Sequence, residues 1–78
     1  APTHILIIPR KPIPRLKQIT KEDQELLGHL LLKATEIANA ADLDSWRTII
    51  NTGEESGQTV FHLHIHIIGG RKLSWPPG

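Results

Sequence analysis

The stretch Val60-Phe61-His62-Leu63-His64-Ile65-His66-Ile67-Ile68 decides how this chain is read. Successive side chains of a β-strand point to opposite faces, so residues two apart share a face. As one strand, it turns Phe61, Leu63, Ile65 and Ile67 toward a core. His62, His64 and His66 then stand in a row on the other face, roughly 6.5–7 Å apart. Imidazole can act as nucleophile, acid, base or metal ligand near neutral pH. The row is therefore expected to be the functional site.

Working outward, His4-Ile5-Leu6-Ile7-Ile8 is a β-branched apolar run that reads as a strand stopping at Pro9. Arg10 to Lys17 carries Pro12 and Pro14 and reads as an extended surface loop. Thr20 is a helix N-cap candidate, with Glu22 and Asp23 placed where the helix dipole favours acids. Leu26, Leu27, Leu30, Leu31, Ala34, Ile37, Ala38 and Ala41 recur at helical spacing. Trp46 to Ile50 is a second strand, and Asn51 to Gly57 a polar turn. The Trp46–Ile50 and Val60–Ile68 strands are expected to pair antiparallel as a hairpin. The fold class is α+β, an antiparallel sheet under one long helix.

Bulk properties set bounds. A chain of 78 residues makes one small domain and buries only about 60–65% of its unfolded surface. A net charge of +1 leaves no basic footprint for a nucleic-acid backbone. With no cysteine, disulfides and thiolate zinc sites are excluded. No apolar stretch is long enough to span a bilayer, and no signal-peptide pattern opens the chain. The chain starts at Ala1 and enters a strand almost at once, which suggests that a segment upstream is missing. A cytoplasmic location is expected, with an organellar one open.

Three readings of the histidines compete. The first is a solvated strand face, which perfect alternation beside a Gly-Gln-Thr turn makes a weak explanation. The second is a metal site, since imidazoles two apart on a strand can chelate zinc. Against it, no acid lies within the row, and Glu54 and Glu55 in the preceding turn are the nearest carboxylates. The third is covalent catalysis at phosphorus by a neutral imidazole, without metal or cofactor. The residues before the row favour it. Asn51 offers an amide, and Gly57-Gln58-Thr59 lets backbone N–H groups and a hydroxyl approach an anion. A phosphoryl group needs such donors because charge sits on its non-bridging oxygens through the transition state. Taken alone, Asn51-Thr52-Gly53 is better explained by turn chemistry, and its position directly before the histidine strand shifts the balance.

The run Gln58-Thr59-Val60-Phe61-His62-Leu63-His64-Ile65-His66-Ile67-Ile68-Gly69-Gly70-Arg71 resembles the signature of the histidine triad (HIT) family. The ending Trp75-Pro76-Pro77-Gly78 and the opening Ala1-Pro2-Thr3-His4-Ile5-Leu6-Ile7-Ile8-Pro9 resemble its nucleotide-binding HINT branch. Leu27-Gly28-His29-Leu30 fits the same pattern. The tail sets the chain apart from the dinucleoside-polyphosphate hydrolase branch.

The resemblance implies a HIT domain over residues 1–78, the C-terminal two-thirds of such a domain, with N-terminal strands missing. It implies a homodimer whose sheets join, with purine nucleoside monophosphates and phosphoramidates as ligands and neither nucleic acid nor membrane as partner. By that analogy His64 is the nucleophile and forms a nucleotidyl-imidazole. His66 contacts the phosphate and aids the leaving group. The His62 carbonyl holds the tautomer of His64, and His4 completes the network. Asn51, Gly57, Gln58 and Thr59 match phosphate-contacting positions, and Trp75 lies near the partner's site. The implied reaction is metal-free hydrolysis of purine nucleoside 5′-phosphoramidates and of aminoacyl adenylates; the alternative is a non-catalytic nucleotide-binding or scaffold protein using the same pocket. Thr59 departs from the family's usual serine by one methyl group.

Overall fold

Three strands and one long helix, β1 (Thr3–Ile7), α1 (Gln24–Ala40), β2 (Trp46–Ile49) and β3 (Ile65–Gly69), make up a computed structural model that describes residues 2–78. The sheet order is β1-β3-β2, so β3 is central and both neighbours run antiparallel to it. Ile7 pairs with Ile65 at one end of β1, and Ile49 pairs with His66 on the other side. The α+β class and the β2–β3 pairing follow the sequence. No helix among the described residues is long and apolar enough to cross a membrane.

The histidine strand is shorter than the sequence suggests. It begins at Ile65, and Val60 to His64 lie outside the ladder. The register explains why. Continued upstream from Ile7–Ile65, Leu63 would face Pro9, which has no N–H to give a ladder. Leu63 donates its own N–H to Ile13 O at 2.7 Å instead. On the β2 side the chain leaves the sheet at the Asn51-Thr52-Gly53 turn. The link from β2 to β3 is thus a long excursion with a 3-10 turn at Glu54–Ser56, not a tight hairpin.

Side-chain parity nevertheless holds across the break. Leu63, Ile65 and Ile67 are buried, while His62, His64 and His66 are half-buried on the other side. Phe61 departs from it: expected in the core, it is exposed, as is Val60. Ile7, Ile13, Leu30, Ala34, Ala38 and Leu43 complete the core with the three β3-segment residues. Gly69 ends β3 where a side chain has no room, since a Cβ there would lie 3.0 Å from Ser45 O and 3.2 Å from the Leu43 methyls.

Three other expectations need correction. The Arg10–Lys17 segment is not simply a surface loop, because Ile13 is buried and the preceding Pro9 with it. Of the helical stripe, only Leu30, Ala34 and Ala38 are buried. Leu31 and Ile37 remain exposed on either side, because a three-stranded sheet covers a single row of the helix. The helix starts one turn later than the sequence suggests: Thr20 caps the 3-10 turn that precedes α1, and Asp23 is the N-cap of α1 itself. Thr20 N–H donates to the Asp23 carboxylate at 3.1 Å, and a 3-10 turn at Lys21–Asp23 leads into α1.

Candidate functional site

β3 and β1 together bring the histidines to one face. His4, on the outward face of β1, lies with Nε2 2.8 Å from Nδ1 of His66. The rings of His64 and His66 meet edge-on, with centroids 4.9 Å apart and planes at 67°. The His4 and His66 centroids are 5.1 Å apart.

Hydrogen bonds fix two of the rings. His64 Nδ1–H donates to the His62 carbonyl at 2.7 Å, since a carbonyl oxygen can only accept. The Nε2 of a neutral His64 therefore carries a lone pair. The His62 ring turns away and donates from Nε2 to Pro9 O at 2.8 Å. His66 is different. Its Nε2 is shielded and has no partner among the described residues. Burial holds its pKa below the ordinary histidine value, and the neighbouring His64 and His4 push the same way. A group in this setting stays neutral near pH 7.

The expected anion donors divide. Asn51 is half-buried, and its amide nitrogen lies 3.9 Å from the point a Cβ on Gly57 would occupy. Gly57 has φ +103°, a backbone that glycine adopts without strain. Thr59 is exposed, and neither its hydroxyl nor its N–H has a partner among the described residues. Gln58 reads differently from its sequence expectation. Its side chain is fully buried, accepts from Gly53 N–H at 2.9 Å, and donates to Pro14 O at 2.8 Å and Val60 O at 3.1 Å. Its own N–H goes to Gly53 O, and that of Gly57 to Glu54 O. Those groups hold the loop together and are not free for an anion.

Trp75 stands apart from the histidines. It is 80% exposed, its ring centroid lies 5.9 Å from the Arg47 guanidinium, and Arg47 also donates to Ser74 O. A groove of about 380 Å³ lined by residues 42–45 and 70–72 contains none of the histidines. Among the described residues, no three His, Asp or Glu side chains are arranged to hold a metal ion.

Sequence reasoning missed the acceptors. Pro9, Ile13 and Pro14 contribute only backbone carbonyls, which no side-chain pattern advertises. The density of prolines is the one available signal, because proline leaves a carbonyl without a local N–H. Leu6, on the His4 face of β1, and Ile8, just past its end, are exposed apolar residues beside the histidines that strand patterning alone does not single out.

A model of the HIT domain family matches residues 1–73. An uncharacterized HIT-like protein of Synechocystis sp. is 63% identical over 81 aligned positions, which cover 100% of this chain and 69% of that protein. The crystal structure of a HIT family hydrolase from Legionella pneumophila superposes with a TM-score of 0.97 at 42% identity, covering 100% of this chain and 71% of the other. A histidine triad protein from Clostridium difficile gives a TM-score of 0.89 at 37% identity, covering 95% of this chain and 66% of the other.

Proposed function

This chain belongs to the HIT domain family, and on that footing we propose that it hydrolyses purine nucleoside 5′-phosphoramidates through a nucleotidyl-histidine, as a member of the HINT branch. The observation that carries the reading is the 2.7 Å bond from His64 Nδ1 to the His62 carbonyl. It leaves Nε2 as a lone-pair nucleophile beside a neutral His66. A serine or water would need a base to reach the same state, whereas imidazole attacks as it stands.

In the first step His64 Nε2 bonds to phosphorus and the P–N bond breaks. The departing amine needs a proton. The exposed His4 takes a proton from solvent and passes its Nε2 proton to His66 Nδ1, so that His66 gives its Nε2 proton to the amine and ends neutral. Water then attacks phosphorus, its proton passes to the vacated His66 Nε2, and the bond from His64 Nε2 to phosphorus breaks, releasing the nucleoside monophosphate and restoring His64. Thr59 N–H and hydroxyl, with the Asn51 amide, are suited to the non-bridging oxygens. Gly57 and Gln58 serve by shaping the loop that presents them. The exposed Leu6 and Ile8 offer apolar contact to a nucleoside. Aminoacyl adenylates, with the same adenylyl group, fit the same chemistry.

The functional unit we propose is a homodimer. β1 and β2 are both edge strands, and Leu31 and Ile37 leave apolar surface beside the sheet. Trp75, free of its own chain's histidines, would then reach the partner's site and shape leaving-group preference. Sedimentation at micromolar concentration tests the assembly, and a fully active monomer would contradict it.

The chemistry is tested by quenching turnover of a phosphorus-labelled phosphoramidate in acid-sparing conditions and mapping the label. Label on His64 is the expected result. His64→Ala should lose turnover while still binding mononucleotide. Near-normal turnover in that variant would refute the assignment.

A further inference from the structure

The bond that sets the His64 tautomer has a second end. His62 C=O and Leu63 N–H belong to one peptide unit, which is planar and stiff. The oxygen accepts from His64 Nδ1 at 2.7 Å, and the N–H donates to Ile13 O at 2.7 Å. Whatever orients the Ile13 carbonyl therefore orients the acceptor for His64. Donation through the N–H also polarises the unit and makes its oxygen a better acceptor.

Ile13 is itself held at three points. Its N–H donates to Lys11 O at 2.9 Å, closing a three-residue turn around Pro12, whose ring restricts φ. Its side chain is buried in the core. Lys11, on the near side of the turn, reaches Asp23 Oδ1 at 2.5 Å. Asp23 is only 4% exposed, and its other oxygen takes Thr20 N–H at 3.1 Å. The turn is thus pinned to the entrance of α1 by the one ion pair among the described residues with a buried partner.

We propose that Lys11 and Asp23 are a positioning pair for His64, acting through the Lys11-Pro12-Ile13 turn and the His62–Leu63 peptide plane. Neither touches the histidines. Their effect is to keep the acceptor oxygen aimed, so that His64 holds its proton on Nδ1 and presents Nε2. The inference rests on the reading of His64 as nucleophile for its catalytic consequence, though not for its structural one.

Two-bond proton–nitrogen correlation spectra of the ¹⁵N-labelled full chain report the His64 tautomer directly, with no substrate. In the parent protein Nδ1 should resonate as a protonated nitrogen and Nε2 as an unprotonated one. Lys11→Met and Asp23→Asn should move both nitrogens toward the average of two exchanging tautomers. In the same variants kcat should fall roughly tenfold with KM within about twofold, as expected for a misaimed reacting group. Lys11→Arg should keep both parent properties. Pro12→Gly loosens the same turn without disturbing the buried carboxylate, and should reproduce the spectral change if Asp23→Asn fails to fold. Folded Lys11→Met and Pro12→Gly variants with parent His64 spectra and parent kcat would overturn the proposal, reducing the pair to a stabilising contact. A tautomer that responds in a protein that cleaves no phosphoramidate would sink the proposed reaction and leave the positioning role standing.

Discussion

The run from Val60 to Gly69 holds its two halves in different ways. Ile65 to Gly69 is the central strand, paired along both sides by β1 and β2. Val60 to His64 has no strand partner and is held by single bonds, namely Leu63 N–H to Ile13 O, His62 Nε2 to Pro9 O, and Gln58 to Pro14 O and Val60 O. The nucleophile proposed here stands at the junction. A ladder spreads its strength over many equivalent bonds, whereas individually placed acceptors can aim one ring. Rigid strand and aimed loop do separate jobs within ten residues.

The contrast breaks first in the strand. Ile67 is wholly buried at its centre, so Ile67→Ala should cost about 2–5 kcal/mol of stability. Chemical denaturation checks this, and a loss below about 1 kcal/mol would mean that β3 is not the core of the sheet.

His62→Ala probes the aimed half. It removes the ring on Pro9 O but keeps the carbonyl that His64 uses. Turnover should fall about 10–100-fold, the scale of a group that orients a functional side chain, with melting temperature changed by a few degrees only. Loss as complete as that of His64→Ala would show that the His62 ring acts directly.

Acid should separate the two halves again. The depressed pKa of His66 means that the unfolded chain takes up a proton more readily than the folded one. That contribution to stability is present above the ordinary histidine value of 6.5 and is lost as pH falls through the lower folded value. Asp23 behaves alike at lower pH. The hydrogen bond from Lys11, joined by Thr20 N–H, lowers its pKa, so its share is held above 3.8 and lost below. Melting temperature should therefore decline in two stages on acidification. His66→Asn should remove the upper stage and Asp23→Asn the lower, and a single stage unaffected by either change would contradict this.

The smallest effect is expected at Phe61. It is exposed despite its apolar character and its place in the alternation. Phe61→Ala should shift stability by no more than about 0.5 kcal/mol. A loss of core size would restore the straight-strand picture.

The alternation around the histidines determined by itself which side chains face inward, because parity depends on local backbone extension and survives a break in pairing. The helix and its approach through Thr20 were legible for the same reason, since they rest on neighbours in sequence, whereas β2 and β3 pair across a long link that reads as a short turn in the sequence. The extent of β3 was not, because it is decided by Pro9, a residue more than fifty positions away that cannot donate to Leu63. Nor was Gln58, whose place in the Gly-Gln-Thr turn suggested an anion contact, because its side chain is taken by two nearby backbone groups and by the distant Pro14 carbonyl. The imidazoles are written in the sequence; their aim is decided by carbonyls of a proline-rich turn that only the folded chain brings beside them.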